Sequence, residues 1–317
     1  MSDIFKPLPW QEDLWLRVTT LALQERLAHA LLFAGPQGVG KRHFATALTA
    51  FLLCEKRSGF ACGQCRSCQQ FSAGHHPNAY FLRRETDEKT GKQKRDIAIE
   101  QVRELSERLT LSSHYGQAKV AVIDPADALS TNGVNALLKT IEEPPSNSHL
   151  ILISERPQAL LPTLRSRCQR SRMAAPDSMQ SLAWLGGEGK AELDALEQAH
   201  GAPLKARALL DSGEAERGRK WAAEMSAIAA QKRDPLAVAA VVGKEEMPVF
   251  LEWLLGWLNS QLRVQARSGT EYLRGIDQMI QETFSALQRL RSNANPQLQI
   301  ESLLILWWRV ARSVRAA

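Results

Sequence analysis

"AHALLFAGPQGVGKRHFATALTAFLLC", residues 28–54, decides the fold of this chain. It opens with a short apolar run and turns through Gly35, Gly38 and Gly40. It then continues with apolar residues spaced three and four apart. That order is strand, glycine-rich turn, helix. The turn, "GPQGVGKR" from Gly35 to Arg42, fits the phosphate-loop pattern G-x-x-x-x-G-K-[ST] at Gly35, Gly40 and Lys41. It misses the last position, where a hydroxyl would hold Mg²⁺ and the chain has Arg42.

Outward from this stretch the same alternation continues. A helical pattern in "IAIEQVRELSERLTL" precedes the apolar strand "KVAVID". A second helix, "GVNALLKTIEEPP", is stopped by Pro144 and Pro145 and leads into the strand "HLILIS". Strands alternating with helices predict a parallel sheet with both faces covered. Near Met173 the pattern turns helical, with "AAPDS" as a linker and helix start. The expected architecture is an α/β phosphate-loop domain over residues 1–173, a small helical domain over 174–212 and an all-α domain over 213–317.

The chain has 317 residues, 44% apolar and 23% charged, with a formal charge of +6. These values suit a soluble globular protein, and the mild basicity permits nucleic-acid contact without demanding it. The first residues, "MSDIFKPLPW", lack a basic start followed by an apolar core, and runs such as "LLILWW" are too short to span a bilayer. A cytoplasmic protein without a membrane partner is therefore expected.

Four of the five cysteines, Cys54, Cys62, Cys65 and Cys68, lie within fifteen residues in "CEKRSGFACGQCRSC". Four thiolates so close suit a tetrahedral Zn²⁺ site with no open position, hence structural. An iron–sulfur cluster and unliganded thiols are the alternatives, although no Cys-Pro ending follows the cluster. A disulfide framework fits a cytoplasmic setting poorly.

An ATP-hydrolysing site also needs a carboxylate at the end of a second strand and a glutamate beside it to activate water. "VAVIDPADAL" supplies Asp124, but the next residue is Pro125, which cannot accept a proton. Asp127 is expected to cap the helix that follows. Gly35, Gly38, Gly40, Lys41 and the helix N-terminus need no metal to cradle phosphate, so weak nucleotide binding stays open while hydrolysis is not expected. Alternatively, the glycines serve only a turn that requires positive φ and close backbone approach.

"KVAVIDPADALSTNGVNALLKTIEEPPSNSHLILISERPQALLPTLRSRCQR" closely resembles the clamp-loader branch of the AAA+ ATPases. There a degenerate D-E-A-D strand end, N-A-L-L-K-x-[LI]-E-E-P-P and S-R-C occur in this order. The motif match runs from about Ala30 to Arg170. Beyond Met173 the likeness is one of architecture: a helical lid, then a helical collar. The resemblance implies that Arg167, in the S-R-C motif, is an arginine finger reaching a neighbouring subunit's ATP. It also implies that Ser154 holds the sensor-1 position, and that Leu204 stands where "GAPLKARALL" would carry a sensor-2 arginine. The implied partners are a hydrolysing gamma/tau-type subunit and a delta subunit in a hetero-pentamer that loads a sliding clamp onto primed DNA. A self-sufficient motor subunit and a zinc-dependent DNA-binding module are the competing readings.

Near the C-terminus, Phe250, Trp253, Leu254, Trp257, Leu258 and Leu262 form one apolar stripe. Leu303, Leu304, Leu306, Trp307 and Val310 form another. Both predict the core of a helical bundle, with some tryptophans available to neighbours.

Overall fold

A computed structural model describes residues 4–87, 91, 93–111, 118–242, 246–268, 273–291 and 295–315; positions 88–90 and 92 of the charged tract after the cysteines lie outside them. The chain divides into two compact units, Met1–Gln180 with Ala202–Lys205, and Ser181–Gly201 with Ala206–Ala317.

The first unit is built on a parallel sheet of five strands in the order β2-β3-β4-β1-β5. They are β1 Ala30–Ala34, β2 Ala79–Leu82, β3 Lys119–Ile123, β4 Ser148–Ser154 and β5 Gln169–Arg172. Six helices accompany them: α1 Glu12–Leu23, α2 Lys41–Leu53, α3 Arg66–Ser72, α4 Ile99–Thr110, α5 Thr131–Glu142 and α6 Pro162–Arg167. Residues 31–33, 120–123 and 150–153 of the central strands are apolar at every position because successive side chains serve opposite cores. Leu31, Phe33, Val120, Val122, Ile151 and Ile153 join Trp15 and Val18 of α1 and Phe44, Leu48 and Phe51 of α2. Ala30, Leu32, Ala121, Ile123, Leu150 and Leu152 join Val102, Leu105 and Leu109 of α4 and Val134, Leu137 and Ile141 of α5. This is the parallel α/β fold that the strand–turn–helix alternation predicted.

The edges differ from that pattern. β5 reads "QRSR" and is largely exposed, and β2 is only four residues long. β2 is too short to stand out and β5 carries no apolar run, so neither was visible in the sequence.

The second unit is helical among its described residues. Its helices are α7 Ser178–Leu185, which begins in the first unit, then α8 Lys190–Gln198, α9 Pro203–Asp211, α10 Glu214–Ala229, α11 Pro235–Val241, α12 Met247–Ser268, α13 Leu273–Arg291 and α14 Pro296–Arg315. A small core gathers Leu182, Leu185, Leu196 and Ala206. A larger one gathers Met225, Phe250, Leu254, Leu258, Leu303, Leu304, Trp307 and Val310. Both predicted stripes supply this larger core, while Trp253, Trp257, Leu262 and Leu306 are only partly buried against it. Trp307 Nε1 finds its acceptor at Met225 O, 2.8 Å away. Among the described residues no helix is long and apolar enough to cross a membrane.

Candidate functional site

The residues singled out in the first unit meet at the carboxyl ends of adjacent strands, where open parallel sheets place their ligand crevice. Gly35 follows β1, Asp124 follows β3 and Ser154 ends β4.

The three glycines of the loop are each approached closely by protein atoms. A side chain on Gly35 would lie 1.9 Å from Met173 O, and one on Gly38 would lie 2.7 Å from Lys205 Cβ. One on Gly40 would lie 2.5 Å from Leu8 Cδ1. Gly38 and Gly40 have φ of +82° and +89°, which other L-residues rarely adopt. The N-terminal segment braces the loop further. Gln11 Nε2 donates to Val39 O at 3.1 Å and Gly40 O at 3.0 Å, and Trp10 Nε1 donates to Val39 O at 2.9 Å. Leu204 N donates to Gly38 O at 3.0 Å. These contacts explain all three glycines without a phosphate.

Lys41 does not reach outward. Only 5% exposed, its Nζ donates back to Gly35 O at 2.8 Å and Pro36 O at 2.7 Å. Burial lowers its pKa from the ordinary lysine value, against the upward pull of Glu155, Asp124 and Asp127. Arg42 forms an ion pair through Nε with Asp124 Oδ2. The Arg42 side chain is 64% exposed and that of Asp124 is 9% exposed, so the guanidinium closes over a nearly buried carboxylate. The residue at the last position of the glycine-loop motif therefore places its own cation on Asp124.

Asp127 is not the cap of α5, contrary to the sequence expectation. Ser130 caps that helix, its side chain accepting from Gly133 N at 3.1 Å. Asp127 instead spans to the end of β4. Its Oδ1 accepts from Ser154 Oγ at 2.6 Å, and its Oδ2 accepts from Glu155 N at 2.7 Å and Arg156 N at 3.1 Å. Ser154, fully buried, thus spends its hydroxyl proton on Asp127. Of the basic residues beside Leu204, Arg207 donates to Leu185 O at 2.5 Å and lies over the Trp184 ring.

The four clustered cysteines converge as their spacing predicted. Their sulfurs all lie within 4.8 Å of one another, and Cys62 Sγ is 3.9 Å from Cys68 Sγ. A tetrahedral zinc with Zn–S bonds of about 2.3 Å requires sulfurs about 3.8 Å apart, so the set fits with small adjustments. The cluster is built locally: Cys54 ends α2, Cys65 caps α3, and Cys68 lies in its first turn. Cys62 N and Lys56 N donate to Cys54 Sγ, Cys65 N to Cys62 Sγ, and Cys68 N to Cys65 Sγ, at 3.3–3.4 Å. The N–H groups of Gln64 and Cys65 bring Cys62 down to about 6, whereas burial pushes Cys54 and Cys68 up. A bound divalent cation offsets that burial cost and lets all four ionise together. The fifth thiol, Cys168, is buried alone and pushed up to about 11, which leaves it protonated and unreactive at neutral pH.

Arg167, at the end of α6, is the exposed member of the set, with 41% of its side chain open to solvent. Nε lies 2.7 Å from Glu142 Oε1 and Nη1 donates to Thr163 O at 3.2 Å. Sequence reading missed Glu142, Gln11 and Trp10 as parts of the site; Glu142 stood there as a member of the E-E-P-P motif that ends a helix, with no role of its own.

With this geometry in hand, the family profile "DNA polymerase III, delta subunit" matches residues 10–177, just over half of the chain. The chain belongs to that family. Its relatives include the DNA polymerase III subunit delta' of Pseudomonas aeruginosa, 32% identical over 97% of this chain and 98% of that protein. The namesake proteins of Escherichia coli and Yersinia pestis are each 34% identical. They align over 80% and 86% of this chain and 76% and 80% of their own lengths. The match to the delta family covers the sheet, the glycine loop, the cysteine cluster and Arg167 together.

Proposed function

We propose that this chain is the delta-prime subunit of a DNA polymerase III clamp loader. In this reading it neither hydrolyses ATP nor catalyses a reaction alone, and it lends Arg167 to a neighbouring gamma/tau-type ATPase subunit. The Arg42–Asp124 ion pair carries the reading. A site whose metal-binding carboxylate is already neutralised by its own arginine has little use for Mg²⁺, and Pro125 leaves no base beside it. Lys41 folded onto Gly35 O and Pro36 O supports the same conclusion. Arg167 has a guanidinium at the surface of the first unit, where a γ-phosphate from another chain could meet it. In the assembled hetero-pentamer, with a delta subunit, the complex would load the sliding clamp onto primed DNA. The cysteine cluster would hold a structural Zn²⁺, and any nucleotide bound at Gly35, Gly38, Gly40 and Lys41 would bind weakly.

The test is clamp- and DNA-stimulated ATP hydrolysis by the reconstituted loader, with this chain as wild type, Lys41→Ala or Arg167→Ala. Arg167→Ala is expected to lower turnover by about 10³-fold, in line with other arginine fingers. Lys41→Ala should stay near the wild-type rate. The opposite pattern would make the glycine loop a working ATP site and end the proposal.

A further inference from the structure

Arg167 has two partners: Nε lies 2.7 Å from Glu142 Oε1 in an ion pair, and Nη1 donates to Thr163 O at 3.2 Å. Nη2 has no partner among the described residues. A guanidinium is a rigid planar fork, so the ion pair at Nε and the hydrogen bond from Nη1 together restrict where Nη2 points. Glu142 is the last residue of α5, where the helix's C-terminal partial charge disfavours a carboxylate. Local helix chemistry therefore does not account for Glu142, whereas its partner on α6 does.

We propose that Glu142 is a positioning residue for Arg167. Its carboxylate orients the guanidinium through Nε, with Thr163 O steadying Nη1, so that the Nη2 edge is presented to a phosphate on the neighbouring subunit. This rests on the reading of Arg167 as an arginine finger. The carboxylate takes the edge shared by Nε and one Nη2 proton, which leaves the other Nη2 proton, on the end-on edge beside Nη1, for the phosphate. Side-chain exposures of 41% and 49% make the pair a weak constraint, biasing the arginine by no more than about fivefold. That sets the size of the effect to look for.

The experiment is ATP hydrolysis by the reconstituted loader with clamp and primed DNA, over a range of ATP concentrations and per assembled complex. Glu142→Ala should lower kcat about three- to fivefold and leave KM for ATP within about twofold, because orientation matters most as charge develops in the transition state. Glu142→Gln should lose nearly as much, since the contact is an ion pair and the amide carries no charge. In an Arg167→Ala background, single-turnover rates should no longer respond to Glu142→Ala. A wild-type rate for Arg167→Ala would overturn the arginine assignment and the positioning role with it. A slow Arg167→Ala beside a wild-type Glu142→Ala would overturn the positioning role alone. The positioning role also falls if the Glu142→Ala loss persists without Arg167, or if Glu142→Gln keeps the wild-type rate.

Discussion

Arg42 decides the chemistry of the glycine loop. A threonine or serine there would leave Asp124 an open carboxylate; the guanidinium instead makes the acid part of a closed pair. Truncating one partner of such a pair costs more than the pair contributes, because the other is left nearly buried and uncompensated. Arg42→Ala is therefore expected to lower unfolding stability by about 1–3 kcal/mol, nearer the lower figure because the arginine is largely solvated. Adding Asp124→Asn should recover most of the loss, since a neutral amide needs no counter-charge. Urea titrations of the three chains measure this. If the single variant matches the wild type, the pair is incidental.

At the level of elements, polar side chains tie helix and strand ends to one another. Asp127 joins the turn after β3 to the end of β4. Lys119, the first residue of β3 and 4% exposed, donates through Nζ to Leu109 O and, at 2.7 Å, to Leu111 O. It thereby satisfies carbonyls that the end of α4 leaves without helical partners. Lys119→Met keeps the apolar stem but removes the donor. Two charged hydrogen bonds lost from a buried setting should cost about 1–3 kcal/mol. The last turn of α4 should then exchange its amide hydrogens faster than in the wild type. Unchanged exchange there would mean that water replaces the lysine without loss.

For the whole molecule, the cysteine cluster links the end of α2 to α3 in the first unit. Trp15 binds the same loop through Gly59 O at 2.8 Å and stacks on Phe60. With zinc bound, the purified chain should carry about one Zn²⁺, and stripping it should lower the melting temperature by on the order of 5–10 °C. Cleavage by protease between residues 54 and 68 should rise with the loss. A chain that carries no zinc, or melts at the same temperature after stripping, would refute the metal assignment.

The parallel sheet, its covering helices and the cysteine cluster were legible in the sequence because their signals are local. Leu31–Phe33, Val120–Ile123 and Leu150–Ile153 are apolar at every position, as strands buried on both faces must be. Four cysteines in fifteen residues can hardly avoid one another. The edge strands "AYFL" and "QRSR" were not legible, since the first is only four residues long and the second, paired on one side alone, carries no apolar residue. Sequence alone showed that Arg42 stands in the wrong place for Mg²⁺ and that Pro125 cannot act as a base. Only the tertiary structure decided that Arg42 closes on Asp124, that Asp127 serves Ser154 rather than α5, and that Glu142 meets Arg167. Apolar periodicity is written along the chain, but a polar side chain's partner is whatever the folded sheet brings within about 3 Å of it.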